Sequence, residues 1–300
     1  MDEKEVFVTI GLPVFNGEKT IKKSIESLLN QTHTNFEIII SDNCSTDNTL
    51  NICRTFAEKD SRIKIFEQNK NMGINWNYNF VLNKTESEFF LWAAADDIKL
   101  ESFLKENLEE LILNKKIVCS ISKVIRYGIK NGDIILNDSN LKPKTKKGKF
   151  LANFRPTGTN PLRGNMNKRI KKFLEKPGSN SRIFGIYRTE ILKKCLVDKR
   201  FVGNDWAIVL NALSFGEFEE VDKVSMYKYD SGISKEGMIK YAKKNNQSKV
   251  GIIFPMLPFT RWTIHKFGTK IFLENIVSLF LLNLRSEIAI IVDIFTIIKK

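Results

Sequence analysis

The first hundred residues alternate between short apolar runs and longer segments whose apolar residues recur at helical spacing. The apolar runs, rich in β-branched residues, cover residues 6–12, 36–41, 62–66 and 88–94. The segments with helical spacing cover residues 17–30, 47–58 and 74–82. Strands of this length that alternate with helices form βαβ units around a parallel sheet. The sequence therefore predicts an α/β fold in which helices flank a Rossmann-like, mainly parallel sheet.

Polar or glycine residues follow each predicted strand, at the edge of the sheet where ligands bind in folds of this class. In chain order these residues are Asn16 and Glu18, Asp42, Asn71 and Gly73, and Asp96 with Asp97. Phe15 adds an aromatic ring that can stack on a base, and adjacent carboxylates suit a divalent metal. Helix caps and Asx turns would explain any one of these loops. The prediction of a nucleotide site depends on the four loops together.

Other nucleotide-binding folds are disfavoured because their glycine motifs are missing. No G-x-G-x-x-G follows the first strand, and the chain has no G-x-x-x-x-G-K-[ST]. The four cysteines form no C-x-x-C, which argues against a disulfide framework or a structural zinc site and fits a reducing compartment. The acidic start of the chain does not resemble a signal peptide, so we expect a cytoplasmic protein.

Four motifs taken together resemble those of family-2 glycosyltransferases of the GT-A fold. They are TIGLPVFNGE at residues 9–18, IIISDNCSTDNT at 38–49, NMG and NYN within 71–79, and FLWAAADD at 90–97. The resemblance is close from residue 6 to about residue 120 and looser to about residue 234. It implies a GT-A domain over residues 1–234, with a donor half (1–120) and an acceptor half (121–234), before a helical extension (235–300). It also implies a nucleotide-diphosphate-sugar donor and an inverting transfer.

The resemblance assigns donor-binding roles by position. The residues that would contact or support the donor are Pro13, Phe15, Asn16, Glu18, Asp42, Asn71, Gly73, Asp96 and Asp97. Asp42 would accept a hydrogen bond from the base edge, and Asp96 would hold the Mg²⁺ or Mn²⁺ that stabilises the leaving diphosphate. The family usually has D-x-D here and this chain has Ala94 at the first acid, so a UDP-sugar is expected but not identified. The alternative for Asp96 and Asp97 is a cap for a helix at 99–113.

Asp205 is the predicted general base. With Asn204 it opens an apolar helix at the place where the family has an acidic motif, usually Glu-Asp, beneath the acceptor. A carboxylate there would take the proton of the acceptor hydroxyl on the face opposite the leaving diphosphate, which inverts the anomeric configuration. The alternative is a helix cap. Contacts to acceptor or phosphate are expected from Arg182, Lys228 and Asp230, and Asp230 is also a candidate metal ligand.

Charge is divided unevenly along the chain. Residues 1–110 contain 12 Lys and Arg against 19 Asp and Glu, a balance of −7, and the remainder contains 36 against 15, a balance of +21. Basic stretches lie at residues 142–149 and 163–176, after a predicted hairpin at 124–136. They suit a polyprenyl-diphosphate-linked acceptor at an anionic membrane, or they form a solvated surface. Nucleic acid is not expected, because no helix-turn-helix, RNP or zinc pattern accompanies the charge.

The last fifty residues are apolar but interrupted by charges such as Glu274, Arg285 and Asp293. No uncharged stretch of eighteen residues remains, so we do not expect a membrane-spanning helix. Two amphipathic helices are predicted at 269–285 and 286–300, either packed on the preceding domain or lying in the bilayer interface, which Trp262 favours. We expect peripheral contact with the inner face of the cell membrane.

The sequence thus predicts an inverting, metal-dependent glycosyltransferase that acts on a glycan or lipid-linked acceptor in cell-surface polysaccharide synthesis. A sugar nucleotidyltransferase would share the fold type, but its glycine-rich, basic loop after the first strand is absent. A catalytically degenerate, membrane-associated assembly protein is a second alternative. It is suggested by Ala94, by Asn204 and by Asp230 or Ser231 standing where relatives often have a histidine.

Overall fold

The computed structural model describes residues 6–130, 133–137, 160–175, 180–198, 200–229, 237–244 and 247–298. The strands in this part of the chain are β1 (Val8–Val14), β2 (Phe36–Asp42), β3 (Ile63–Glu67), β4 (Phe89–Trp92), β5 (Ile98–Lys99), β6 (Ile117–Lys130), β7 (Asp133–Asn137), β8 (Ile186–Arg188) and β9 (Glu217–Tyr229). The α-helices are α1 (Ile21–Leu29), α2 (Thr49–Ala57), α3 (Ile74–Asn83), α4 (Phe103–Leu113), α5 (Met166–Glu175), α6 (Thr189–Cys195), α7 (Asn204–Phe215), α8 (Met238–Lys244), α9 (Lys249–Ile253), α10 (Leu257–Glu274) and α11 (Ile276–Ile298).

The described strands form one sheet with the order β3-β2-β1-β4-β8-β6-β9-β5, and β7 pairs with β6. Pairing is parallel from β3 through β4, as predicted, and again between β6 and β9. β8 runs antiparallel to both β4 and β6, and β5 runs antiparallel to β9. The α/β fold class is confirmed, with a parallel amino-terminal half and a mixed sheet beyond it. The hairpin predicted at 124–136 is confirmed by β6 and β7, although its turn at 131–132 lies outside the described residues.

Apolar side chains cover both faces of the sheet, because neighbouring strand residues point to opposite sides. On one face, buried residues of the sheet pack against α1, α2 and α4. On the other, they pack against α3, α5, α6 and α7, together with α10 and α11 from the carboxyl end. Gly11 is required at one close approach on this second face. A Cβ atom there would lie 2.5 Å from Phe90 Cζ and 2.7 Å from Val81 Cγ2.

One predicted boundary at the carboxyl end is wrong, whereas the predicted start at 269 follows Gly268, whose φ of 82° and ψ of 171° interrupt the helical conformation of α10. The break expected near residue 285 lies inside α11, and the helices instead meet at Asn275, which is buried with φ −120° and ψ 13°. Its Nδ2 donates to Ile271 O at 2.8 Å, so the side chain satisfies a carbonyl of the last turn of α10. The apolar pattern did not reveal this break, because both helices are apolar on each side of it. The predicted domain boundary at 234–235 lies outside the described residues.

Residues 181–188 approach the sheet through a turn and pair with it only at their end. Ser181–Phe184 forms a 3₁₀ helix, and only Ile186–Arg188 is a strand. The turn is closed at Arg182, whose carbonyl accepts from Gly185 N at 3.1 Å and from Tyr187 Oη at 2.7 Å. These bonds close the turn, and the chain joins the sheet at Ile186.

In the described part of the chain, no helix taken alone has the length and apolar character to cross a membrane. Leu257–Glu274 and Ile276–Phe295 meet those criteria only as a pair, and the pair is bent by 109°.

Candidate active site

The loops after β1 and β2 are tied together by side chains that the sequence assigned to loop support. Asn16 Oδ1 accepts from Thr46 N at 2.8 Å, and Glu18 Oε2 accepts from Asn48 N at 3.1 Å. Asn16 has a φ of 52°, a left-handed conformation that asparagine tolerates better than most residues. This bonding leaves Phe15 46% exposed at the tip of the loop. Asn16 and Glu18 therefore position a ring that is free to contact a ligand.

The end of β2 holds a carboxylate with one unused oxygen. Asp42 is 2% exposed, and its Oδ2 accepts from Ser45 N at 2.9 Å. Its Oδ1 is buried without a hydrogen-bond partner among the described residues, which is the acceptor that the predicted contact with a base edge requires. Pro13 is buried within β1, opposite Ser41 in the sheet register, and forms part of the wall behind this loop.

Asn43 is a site residue that sequence reasoning missed. Its side chain is 2% exposed, and its Oδ1 accepts from Met72 N at 2.9 Å. Its Nδ2 donates to Asn71 Oδ1 at 3.1 Å, and that oxygen also accepts from Gly73 N at 2.8 Å. Asn43 thus fixes the loop after β3 to the loop after β2. No local signal marked it, because its partner Asn71 lies in a loop 28 residues further along the chain.

Asp96 and Asp97 form a pair of neighbouring carboxylates after β4. Burial, and then the charge of Asp97, raises the pKa of Asp96. Burial also raises the pKa of Asp97, against the opposing charges of Lys228 and Lys99. Asp97 Oδ1 accepts from Tyr229 N at 3.0 Å, whereas Oδ2 is buried without a partner in the described residues. The pair precedes β5 and lies well before α4 begins, so the helix-cap alternative for it is wrong.

Asp205 lies in the first turn of α7, in the other half of the sheet. Gly203, with a φ of 87°, is the N-terminal cap, so Asp205 is inside the helix and does not cap it. Burial raises the pKa of Asp205, whereas the nearby side chain of Asn180 and the charge of Lys228 lower it. A partly desolvated carboxylate with a raised pKa is suited to proton abstraction near neutral pH.

Lys228 connects the two halves of the site electrostatically. Its positive charge lowers the pKa of Asp96, Asp97 and Asp205 alike. Its Nζ lies 4.9 Å from the centre of the Phe184 ring, a cation–π contact that holds the amine in place. Burial and the charges of the same three carboxylates raise the pKa of Tyr78. Asp96, Asp97 and Asp205, which we call the carboxylate cluster, therefore surround one lysine and one tyrosine.

A cavity of about 470 Å³ opens between the two halves. This volume lies in the range of small-molecule sites. Its lining includes three predicted residues, Phe15, Asp205 and Lys228. The rest of the lining was not predicted and consists of Ile74, Asn75, Tyr78, Asn79, Trp92, Asn180, Ile183, Phe184, Arg200, Asn204, Ile208 and Tyr241. Tyr78 and Asn79 belong to the NYN motif, so the sequence could have indicated them as site residues. Arg200 belongs to no motif.

The structure does not bring Arg182 to this cavity. Arg182 is 2% exposed, its Nη2 donates to Asn160 O at 3.1 Å, and its guanidinium carbon lies 5.9 Å from the Phe173 ring. Burial lowers the pKa of this arginine. This cation was expected to contact the acceptor or phosphate, but it packs inside the acceptor half instead. Asp230, the other low-ranking candidate, lies outside the described residues.

The residues at the end of β4 fit a divalent cation that is shared with a substrate. No group of three or more His, Cys, Asp or Glu side chains in the described ranges could hold a metal by itself. Asp96 and Asp97 supply hard oxygen donors, and Asp97 Oδ2 has no partner there. Mg²⁺ is commonly bound through one or two carboxylates together with substrate phosphates. The donor set therefore suits an ion that arrives with a diphosphate.

Residues 9–194 match the model of Glycosyl transferase family 2. The chain belongs to this family. The resemblance inferred from the motifs is confirmed, and the family match covers the strand-end loops, the Asp96–Asp97 pair and Arg182, but ends before Asp205.

Solved glycosyltransferase structures share the fold of this family-2 chain. TarS 1–349 from S. aureus, in complex with UDP-GlcNAc, is 19% identical with a TM-score of 0.55, over 88% of this chain and 74% of that one. The mannosyltransferase PcManGT from Pyrobaculum calidifontis, in complex with GDP-Man and Mn²⁺, is 14% identical with a TM-score of 0.52, over 78% of this chain and 60% of that one. At these identities the likeness supports the fold alone.

Among curated relatives, a Methanococcus voltae protein matches almost end to end. It is named dolichyl N-acetyl-alpha-D-glucosaminyl phosphate 3-beta-D-2,3-diacetamido-2,3-dideoxy-beta-D-glucuronosyltransferase, and it is 27% identical over 98% of this chain and 88% of its own length. The GalNAc(5)-diNAcBac-PP-undecaprenol beta-1,3-glucosyltransferase of Campylobacter jejuni is 33% identical over 34% of each chain. An uncharacterized glycosyltransferase of Haemophilus influenzae is 30% identical over 37% of this chain and 44% of its own. The chain thus spans less than half the length of several relatives it matches.

Proposed function

We propose that this family-2 protein transfers a sugar, with inversion, from a nucleotide diphosphate to a hydroxyl of a glycan or lipid-linked acceptor. The observation that carries the proposal is the cavity in which Asp205 and Lys228 meet, with Asp96 and Asp97 coupled electrostatically to the same lysine. A base on one side and a diphosphate site on the other are what a single displacement at an anomeric carbon requires.

Asp205 is the general base in this mechanism. Its carboxylate takes the proton of the acceptor hydroxyl as that oxygen attacks the anomeric carbon. Burial and the raised pKa make it a stronger base than a solvated aspartate. Asn180 lines the same cavity and lowers the pKa of Asp205, so it lies close enough to orient the carboxylate. Lys228, which faces the same cavity, binds the phosphate oxygens on which negative charge accumulates as the donor bond breaks.

Asp96, with Asp97 beside it, would hold the divalent cation. When bound, Mg²⁺ or Mn²⁺ would act as a Lewis acid toward the leaving diphosphate. On the nucleotide side, the free Oδ1 of Asp42 would accept from the base edge, and Phe15 would cover the base. The hydrogen bonds through Asn16, Glu18 and Asn43 hold these loops in place before the donor binds.

The relatives guide the choice of substrates to test. A UDP-sugar is the first candidate donor because TarS has been solved with UDP-GlcNAc, and a GDP-sugar is the second because PcManGT has been solved with GDP-Man. Relatives named for dolichyl-phosphate-linked and undecaprenol-diphosphate-linked substrates favour a lipid-linked acceptor. A role in cell-surface polysaccharide synthesis at the cytoplasmic face of the membrane follows from such an acceptor.

Calorimetric titration tests the donor side. UDP, GDP, dTDP and CDP are titrated with and without Mn²⁺ into the wild type, Asp96→Ala and Asp222→Ala. Asp222 is the matched control, because it is an exposed carboxylate paired only with Lys123 at the surface. We expect one nucleotide to bind in a Mn²⁺-dependent manner, Asp96→Ala to lose that dependence, and Asp222→Ala to keep it. Asp205→Asn should bind the same nucleotide while transfer falls by about 10² to 10⁴.

The absence of binding for all four nucleotides at millimolar concentration would reject the transferase proposal. The catalytically degenerate assembly protein would then be the better description. Binding without any dependence on Mn²⁺ would reject the role of Asp96 alone.

We also propose that α11 contacts an anionic membrane surface. Ten apolar side chains between residues 273 and 295 are 42% to 68% exposed. They are Leu273, Ile276, Val277, Phe280, Leu281, Leu284, Ile291, Val292, Ile294 and Phe295. Leu273 lies in the last turn of α10, and the spacing of the other nine places them on one side of α11. An exposed apolar face of this kind marks a contact with another molecule or with lipid.

Charge favours lipid as the partner. Arg261, Lys266 and Lys270 are exposed on α10, the helix that precedes α11, and the chain after residue 110 carries a balance of +21. A basic rim beside an apolar helix face suits an anionic bilayer interface. Trp262, expected in the interface, instead packs against Phe259 with a ring distance of 6.2 Å.

Sedimentation with lipid vesicles tests this contact. The wild type should bind vesicles of phosphatidylglycerol more strongly than vesicles of phosphatidylcholine, and less strongly as salt is added. The triple variant Val277→Ser, Phe280→Ser, Leu284→Ser should lose binding, whereas Phe215→Ser, which removes another exposed phenylalanine, should retain it. If light scattering instead shows a dimer that the triple variant abolishes, a second copy covers this face and the membrane proposal fails.

A further inference from the structure

The charges that line the cavity do not balance within the described chain. Lys228 is matched by the carboxylate cluster, since its charge acts on Asp96, Asp97 and Asp205. Arg200 is the other cation in the lining. In the ranges that the structure describes, Arg200 forms no ion pair and no hydrogen bond, and its Nε is buried without a partner. A half-buried guanidinium of this kind is costly unless an anion pairs with it.

Arg200 is held where a ligand can reach it. Its guanidinium packs on the backbone of Gly73, where a Cβ atom would lie 3.0 Å from Nη1 and 3.6 Å from Cζ. Gly73 has a φ of 87°, and its amide is bonded to Asn71 Oδ1 at 2.8 Å, so the surface beneath the arginine is fixed. Any side chain at position 73 would push the guanidinium away. The loop after β3 therefore supports Arg200 from below and leaves its donor edge toward the cavity.

Given the proposed transferase function, on which this inference depends, we propose that Arg200 binds a carboxylate on the sugar that is transferred. The donor would then be a nucleotide-linked uronic acid. A guanidinium offers two parallel N–H donors that match the two oxygens of a carboxylate. Because the pairing desolvates both charges inside the cavity, it distinguishes an acidic sugar from its neutral counterpart, which would leave Arg200 unpaired.

The position of Arg200 favours the sugar over the other anionic and acceptor groups. The diphosphate belongs beside Asp96 and Lys228, and Lys228 acts on all three clustered carboxylates. The acceptor hydroxyl must lie against Asp205. Arg200 instead rests on Gly73, within the donor half, at the wall shared with Ile74 and Asn75. The remaining part of the donor that enters this space is the sugar.

Binding of three ligands to four proteins tests the inference. UDP, UDP-glucose and UDP-glucuronate are titrated with Mn²⁺ into the wild type, Arg200→Gln, Arg200→Lys and Arg54→Gln. Arg54 is the matched control, an exposed arginine paired with Glu67 outside the cavity lining. The wild type should bind UDP-glucuronate about tenfold or more tighter than UDP-glucose, as expected for a charge-assisted hydrogen bond. Arg200→Gln should lose this preference, Arg200→Lys should keep part of it, and Arg54→Gln should keep all of it.

UDP itself should bind all four proteins equally, which shows that the Arg200 variants are folded. Equal affinities of the wild type for both sugar nucleotides, with UDP binding intact, would overturn the uronate inference alone. A loss in Arg200→Gln that is the same for UDP and for both donors would also overturn it, because Arg200 would then contact the diphosphate. If UDP does not bind the wild type at all, the proposed function fails and this inference fails with it.

Discussion

The sheet beneath the donor loops and the last helix use the same apolar residue types in opposite ways. In β1 every one of seven residues is buried, and Ile10 and Leu12 have no exposed surface. In α11 the apolar residues divide, with Leu279 and Leu282 buried and Val277 and Phe280 more than 60% exposed. Folding accounts for the first arrangement, since burial of apolar area is its main driving force. It does not account for the exposed side of α11.

This difference separates what the chain needs to fold from what it needs to work. The polar residues of the site follow directly after buried strands. The rigid sheet therefore holds them in fixed positions. The exposed face of α11 contributes nothing to the isolated fold and is explained only by a partner. Substitutions in the two regions should therefore affect different measurements, stability in one case and association in the other.

The largest expected effect is the difference between two leucine-to-alanine variants, one at a buried position and one on the exposed face of α11. Leu108 in α4 has no exposed surface, and Leu284 in α11 is 43% exposed. Both leucines lie in helices, so replacement by alanine changes the helix propensity by the same amount at each position. Leu108→Ala should lower the free energy of unfolding by about 2–5 kcal/mol, and Leu284→Ala by about 0.5 kcal/mol or less. Urea denaturation followed by circular dichroism measures both. Similar losses for the two variants would mean that the exposed face of α11 is covered within the fold.

A smaller effect is expected where the loops of the donor side meet. Asn43→Ala removes the bonds to Met72 N and Asn71 and leaves buried polar groups unpaired. We expect a loss of about 1–3 kcal/mol in unfolding free energy and weaker nucleotide binding, because the loop after β3 is no longer held. Asn51→Ala is the control, since its amide bonds only to exposed Asn48. Unchanged stability in Asn43→Ala would show that water replaces these bonds.

The strand and helix periodicity predicted the donor side well, because each strand there is buried and each helix has one apolar face. The positions of Phe15, Asp42, Asp96 and Asp205 followed from motifs at strand and helix ends. Asn43 could not be singled out, because its role depends on a loop 28 residues further along the chain. Its partner Asn71 was singled out as a residue of a strand-end loop, but not as a partner of Asn43. Local patterns do not encode such pairings.

The acceptor side was less predictable for a related reason. Arg182 and Arg200 are both arginines outside regular motifs, and composition gives no means of telling a core cation from a cavity cation. The structure buries Arg182 against Phe173 and places Arg200 over Gly73. The difference arises from tertiary contacts of the 3₁₀ helix and of the loop before α7. In the last helices, uniform apolar character concealed the break at Asn275 in the same way.

Asp205 connects the stability of the fold to its chemistry. Because burial raises the pKa of this carboxyl, the folded protein binds its proton more tightly than the unfolded chain does. The ionised carboxylate therefore costs nothing below the unfolded pKa, costs more as pH rises from that value toward the folded pKa, and has its full cost above the folded pKa. Asp205→Asn should raise the free energy of unfolding at pH 8 by about 0.5–2 kcal/mol, with the gain shrinking as pH falls toward 4. Chemical denaturation over that pH range measures it, and transfer activity should be lost throughout.

The smallest expected effect on stability is at Glu287, which lies in α11. Burial raises the pKa of this carboxyl, and its Oε1 is buried without a partner among the described residues. As at Asp205, a raised pKa means that the ionised carboxylate lowers stability at high pH. Glu287→Gln should therefore add about 0.5 kcal/mol or less to the free energy of unfolding at pH 8 and nothing near pH 4. This substitution should change membrane binding more than it changes stability, because removal of an acidic group next to the apolar face favours binding to an anionic surface. Tighter binding to phosphatidylglycerol vesicles with nearly unchanged stability would support a membrane-facing α11. A stability gain of several kcal/mol would instead assign Glu287, and the face beside it, to the folded core.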